Sequence, residues 1–283
     1  VYKKGGTVWH SLRGYMGDSL FYATMRHIFD TYAFGNIDSP TLCQEMSDYS
    51  HMDLSDFFHF HVYNPGFVDY KIDSLVVNGR TAHLFLREKL VGTEQYATSN
   101  RVPVTYFGTQ GESATRWATF EGTQYEVVET LPFVPVVAAV NFSRDLSIAS
   151  IGDTIMPAKK GKVLMELCHF QANVKKVDTT TPTMLYVCHH WTKPDSTPNA
   201  GFVRLANRYW TVDGVIPEGS SLAGMFHFVK DGAMNVPFPY LDHDFYYQSS
   251  SFDSIAVLYR KNNAEPWKVV NAQLMGSTSD GYM

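Results

Sequence analysis

Residues 53–80 read DLSDFFHFHVYNPGFVDYKIDSLVVNGR, and the hydrophobic period changes inside this stretch. Up to Val62 the apolar residues Leu54, Phe57, Phe58 and Val62 recur at helical spacing. Asn64-Pro65-Gly66 then breaks the pattern. Beyond it, VDYKIDSLVV, Asn78-Gly79 and RTAHLFLREKL read as a β-hairpin with a type I′ turn. A helical part therefore precedes residue 66 and a β part follows it, which makes the chain an α+β multidomain protein.

Upstream of the switch, Val8, Trp9, Leu12, Tyr15 and Met16 mark a first helix. Gly17 is placed to end it in the left-handed region, and Asp18 to cap the next. The second helix carries Leu20, Phe21, Met25, Ile28 and Phe29 and stops near Gly35. Ser39-Pro40 suits the start of a third, and Asp53 caps a fourth. Four short helices do not make an independent domain, so their apolar faces need a partner.

Downstream, VPVTYFG, TRWATFEG and QYEVVETL continue the strand pattern. Residues 67–145 are expected to form one antiparallel β-sandwich of at most about seven strands. A second β block, 146–283, has its best strands in KVLMELCHFQANV, TMLYVCHHW, FVRLANRYWTV, LAGMFHFV and DSIAVLYRK. Turns are expected at Pro194-Asp195, Asp213-Gly214 and Asp231-Gly232, and the block's size suits an Ig-like sandwich. The three blocks are 1–66, 67–145 and 146–283.

The 45% hydrophobic and 18% charged content allows real cores and excludes a disordered tail. A net charge of -5 argues against nucleic acid or an anionic membrane as partner. No apolar run reaches membrane-span length, and Val1 leads into polar residues rather than a signal peptide. The sequence opens inside a helical pattern with no start methionine, so a start in mid-domain is expected, and STSDGYM gives no clear stop.

Tyr2-Lys3-Lys4-Gly5-Gly6, followed by a helix, resembles the Y-x-K-G segment of gluzincin aminopeptidases, the aminopeptidase N family. The resemblance continues in order through LRGYMGDSLF, the YAFGN turn at 32–36, the helix at 40–50 and DLSDFFHFHVYNPG at 53–66. It covers about residues 1–70 and implies that 1–66 is the end of a thermolysin-like catalytic domain, with a β-sandwich following. It also implies a catalytic role for Tyr2. A neutral phenol can donate a hydrogen bond to the oxyanion that forms when a zinc-bound water attacks a peptide carbonyl. Lys3 departs from the family, where glutamate is common. The block at 146–283 is broadly similar to β modules of secreted bacterial proteins.

The family's zinc ligands sit in an H-E-x-x-H helix. Here no two of the eleven histidines are four apart, so that motif is absent. The expected parent is a secreted or cell-surface zinc metallopeptidase, an aminopeptidase whose ligand-bearing half lies upstream. Its peptide or protein substrate would bind mainly through that half. The chain itself should hold no metal and no cofactor and have no peptidase activity. The alternative is a non-catalytic binding protein on a degenerate peptidase scaffold. The related glycyl-aminopeptidase family shares a Y-x-K-G helix, but no PDZ-like segment supports it here.

Other constellations favour structural readings. His59 and His61 lie two apart, which diverges on a helix. His189-His190 on a strand face opposite sides. Asp242-His243-Asp244 reads as an exposed loop with cation-binding residue types. If 162–174 and 182–192 pair as a hairpin, Cys168 stands opposite Cys188, close enough for a disulfide. Two small buried hydrophobes are the favoured alternative. Trp117, Trp191, Trp210, Tyr209 and Trp267 have the chemistry for stacking on carbohydrate but are expected in the core.

Overall fold

The computed structural model describes residues 2–94, 100–120, 122–195, 206–229, 242, 256–273, 275–276 and 280–283, with Tyr2, Lys3, Val229, Gly276 and residues 280–282 as backbone alone. The chain divides into two compact units, Val1–Ala149 and Ser150–Met283.

The first unit opens with helices α1 (Tyr2–Met16), α2 (Asp18–Thr31), α3 (Ser39–Ser50) and α4 (Ser55–Phe58), then a π-helical turn at His59–Tyr63. Gly17, at φ 81°, ends α1 and stands before α2. Asp18 does not cap. Its carboxylate accepts two bonds from Arg13, at 2.7 and 2.8 Å, which fixes the α1–α2 joint. Asp38, one residue earlier than expected, caps α3 by accepting from Thr41 N at 2.9 Å. Asp53 accepts from Ser55 N at 2.9 Å at the start of α4.

Six strands follow: β1 (Phe67–Asn78), β2 (Thr81–Val91), β3 (Asn100–Phe107), β4 (Ser113–Phe120), β5 (Gln124–Thr130) and β6 (Val137–Val140). They form two antiparallel sheets, β1-β2-β5 and β4-β3-β6. The first hairpin differs in its turn. Asn78 pairs with Thr81, so Gly79 and Arg80 are the central residues. Only Gly79 has positive φ, at 59°, which is the pattern of a type II′ turn; type I′ needs it at both positions.

One core joins the helices to both sheets through residues such as Leu12, Phe57 and Phe60 on the helical side and Leu84, Val104 and Phe120 on the strands. The sheets thus supply a partner for the helices, although Tyr22, Phe29 and Phe34 stay exposed. α1 lies hard against the loop after β6. A Cβ at Gly14 would stand 2.6 Å from both the carbonyl oxygen and Cβ of Asp145, so glycine is what this approach requires. Ser11 Oγ accepts from Ser147 N at 2.8 Å, and His10 Nε2 bonds the Arg144 carbonyl at 2.8 Å, tying the same two segments together.

The second unit contains β7 (Ser150–Ile155), β8 (Gly161–Met165), a 3-10 turn at Glu166–Cys168, β9 (Phe170–Lys176) and β10 (Met184–His190). Beyond these lie β11 (Tyr209–Val215), β12 (Ser221–Val229), β13 (Val257–Tyr259), β14 (Lys268–Val270), β15 (Met275–Gly276) and β16 (Asp280–Tyr282). The sheet orders are β11-β10-β7, β15-β16-β12-β9-β8 and β13-β14. The described chain is therefore a β-rich α+β protein of small antiparallel sheets; an Ig-like label goes beyond these pairings.

Three expectations change here. The hairpin of 162–174 with 182–192 does not form: β9 pairs with β8 and β12, and β10 with β7 and β11. The apolar run is broken at Glu166–His169, where His169 takes φ 51°, and it folds on itself as β8–β9. Cys168 and Cys188 are both free and buried. Asp213 and Gly214 lie within β11 rather than in a turn. The strands expected at 202–212 and 253–261 begin at Tyr209 and Val257 among the described residues, while Asp231-Gly232 lies outside them.

Candidate functional site

Tyr2 is the first described residue of α1. Two residues on, Lys4 Nζ donates to the Asn64 carbonyl at 3.5 Å, a long bond that links the start of α1 to the end of the π-helical turn. Asn64 is itself fixed, because its Nδ2 donates to the His59 carbonyl at 2.7 Å. Inside the turn, His61 packs against Phe57 with the rings tilted by 36° and their centres 4.4 Å apart. Burial, with the Lys4 charge adding to it, lowers the His61 pKa to about 4, so its imidazole is neutral at pH 7. His59 and His61 are both in place, but they serve separate surroundings and do not converge.

Two clefts flank α4. The larger, about 460 Å³, is lined by Pro40, Cys43, Ser55, Asp56, His59 and Tyr63. Cysteine, histidine and aspartate together are the residue types of nucleophilic catalysis. Burial raises the Cys43 thiol above its ordinary value, however, so it stays protonated at neutral pH and is not activated. The smaller cleft, about 240 Å³, is lined by Tyr15, Asp53, Asp56, Arg101 and Thr119 among others. Arg101 Nη1 donates to the Tyr15 carbonyl at 3.1 Å, and its guanidinium lies 5.5 Å from the Tyr15 ring centre and 5.2 Å from that of Trp117. Burial is the main cause that raises the Tyr15 phenol above its usual range.

Deeper in the first unit lies a polar cluster that no sequence motif marks. Glu88 on β2 faces Tyr70 on β1 in the ladder register. Asn100, at the start of β3, donates from Nδ2 to the Tyr70 hydroxyl at 3.1 Å and to Glu88 Oε1 at 3.4 Å. Glu88 is 3% exposed, and its Oε2 has no hydrogen-bond partner among the described residues. Burial raises the Glu88 pKa to about 8 and pushes the Tyr70 phenol well above its ordinary value. A signal was present in the sequence: in TAHLFLREKL, position 88 falls on the same face as Ala82, Leu84 and Leu86, all buried.

In the second unit His189 stacks on Trp210 at 4.6 Å, and Trp210 Nε1 donates to the Cys168 carbonyl at 2.7 Å. His169 and His227 meet through their Nδ1 atoms at 3.5 Å. Arg208 makes a buried ion pair with Asp242 at 2.5 Å and lies over the Trp210 ring. Burial lowers the His169 pKa to about 4 and holds His189 well below its ordinary value, with the Arg208 charge adding in both cases. These are groups of a packed interior. Asp242 is accordingly not in an exposed position, and His243 and Asp244 lie outside the described residues. Trp117, Trp191, Trp210, Tyr209 and Trp267 are all half-buried, which leaves no exposed aromatic platform among them. No group of three or more His, Cys, Asp or Glu among the described residues is arranged to hold a metal. Nor is any helix there long and apolar enough to cross a membrane.

No protein-family model and no curated protein matches the chain. Among solved structures it is similar to the crystal structure of Legionella pneumophila aminopeptidase A in complex with aspartic acid, at 15% identity and a TM-score of 0.43. That match covers 52% of this chain and 17% of the other. It is a distant structural neighbour, and this chain corresponds to a small part of its length.

Proposed function

We propose that the chain is the C-terminal part of a secreted or cell-surface zinc metallopeptidase similar to the aminopeptidase N family. One observation carries the reading. The five segments that resemble the family, from Tyr2 to Gly66, fold into a continuous helical layer with a shared core, and Lys4 in the first segment bonds Asn64 in the last. An ordered set of weak motifs gains force when the pieces also pack as a unit.

In this reading the Tyr2 hydroxyl donates to the scissile carbonyl oxygen as negative charge develops on it. A bound zinc would supply the attacking water in the parent. In this reading the ion's ligands and the general-base glutamate would come from an H-E-x-x-H segment outside this sequence. The peptide substrate would be held mainly there as well. The β units would then position or extend the enzyme rather than react.

The test compares the full-length parent with this 283-residue chain for zinc content and for hydrolysis of aminoacyl substrates. The expected result is one zinc and activity in the parent, and neither in the chain alone. A parent with no H-E-x-x-H upstream of Tyr2 and no bound zinc would overturn the proposal and leave a non-catalytic binding protein on the same scaffold.

A further inference from the structure

Glu88 is a buried carboxyl group in the interior of the first unit that forms no ion pair among the described residues. Glu88 reaches that interior from β2, where Tyr70 faces it from β1, Asn100 from β3 and Asp56 from α4. Of these, Asn100 supplies the only hydrogen bond that Glu88's side chain makes among the described residues, and at 3.4 Å it is long. Asp56 is a like charge. The Tyr70 hydroxyl already accepts from Asn100, and Tyr15 on α1 adds a second phenol near Tyr70. Arg87 and Lys89 on β2, and the buried Lys71 opposite Arg87 on β1, fall on the other face of the sheet, and Arg87 is bound to Asp73. Arg101, next to Asn100 on β3, lines the cleft with Asp56 and donates to the Tyr15 carbonyl.

A buried carboxylate without a counter-charge is costly, and the usual escape is to keep the proton. We propose that the Glu88–Asn100–Tyr70 cluster is an alkaline-sensitive switch: the packing of β1, β2 and the α1–α4 layer requires Glu88 to keep its proton, so the first unit is progressively weakened as rising pH draws that proton away. The proton resides on the carboxyl and departs to solvent, with no other group altered. The ionised form would put a negative charge next to Asp56, with Oε2 unpaired.

The sign follows from linkage. The folded Glu88 pKa, about 8, lies above the ordinary glutamate value of about 4.5. Between these values the unfolded chain binds fewer protons, so the first unit loses stability as pH rises through this window and levels off above it. One proton corresponds to a tenfold change in the unfolding equilibrium constant per pH unit.

The test compares the wild-type chain with Glu88→Gln, which keeps the shape and cannot ionise. Urea unfolding is followed by hydrogen exchange in peptides covering residues 67–91, at pH 5 to 9. The wild-type unfolding constant relative to Glu88→Gln should rise about tenfold per pH unit from pH 5 to about pH 8 and then flatten. A ratio that stays constant across the range overturns the proposal. Should Glu88→Gln fail to fold, carbon-13 NMR of glutamate carboxyls in the wild type decides. One carboxyl titrating near pH 8 supports the switch, and all carboxyls titrating between pH 4 and 5 refute it. Neither readout depends on any peptidase activity of the parent.

Discussion

Replacing Gly14 with alanine opposes two effects of known size. Helix propensity alone favours alanine over glycine inside a helix by about 1 kcal/mol. Against this, the new methyl would stand 2.6 Å from the Asp145 carbonyl oxygen and 2.6 Å from its Cβ. Comfortable carbon contacts begin near about 3.5 Å. The loop cannot withdraw cheaply, because Ser147 N is bound to Ser11, the Arg144 carbonyl to His10, and Asn141 bonds Leu146 through both ends of its side-chain amide. Overpacking of this kind costs about 1–3 kcal/mol, and backbone on the receiving side points to the upper half of that range. The net expectation is a loss of about 1–2 kcal/mol. With a urea slope of about 1–3 kcal/mol per molar, the midpoint for the first unit should fall by several tenths of a molar or more. Gly6→Ala is the control. It lies on the same helix, and among the described residues nothing beyond its chain neighbours and its own helix backbone comes within 4 Å of its would-be Cβ, so it should gain up to about 1 kcal/mol. If Gly14→Ala is as stable as the wild type while Gly6→Ala is stabilised, the packing argument at α1 is refuted.

Two further perturbations test particular interiors. His61 has its folded pKa lowered to about 4, so the unfolded chain binds more protons between about pH 6.5 and 4, and stability should drop as pH falls through that window. His61→Gln should make this decline shallower in urea melts at pH 7 and pH 5; an unchanged slope would place the lowered pKa elsewhere. In the second unit, Asp242→Ala leaves the Arg208 guanidinium buried without its carboxylate. A loss of about 3–5 kcal/mol is expected, read as faster hydrogen exchange in β11 and β12, and an effect under about 1 kcal/mol would show the pair to be of little consequence.

The change of period near Asn64-Pro65-Gly66 could be read because helices and strands impose different spacings on apolar residues, and both sets here are long enough to register. The same alternation places Glu88 on the inward face, but a search for motifs passes over a single carboxyl in a strand. What could not be read were features set by distant segments. Gly14 looks like an unfavourable helix residue until Asp145, far along the chain, is brought against it. Cys168 reads as a strand residue because its neighbours are apolar, whereas the left-handed His169 turns the chain back and removes it from any ladder with Cys188. The hairpin turn moved by one residue because Asn78 is drawn into the ladder with Thr81, a register decided by cross-strand packing rather than by the Asn-Gly pair. Tyr2 stands out through resemblance alone, since a tyrosine opening a helix has no spacing or charge pattern that marks it.

The most direct test of the functional proposal is Tyr2→Phe in the full-length parent, with kcat, KM and zinc content measured together. Loss of one oxyanion donor predicts a fall in kcat of about 100- to 1000-fold with zinc content unchanged and KM little affected. A variant that retains wild-type kcat would contradict the assignment of Tyr2 to the reaction.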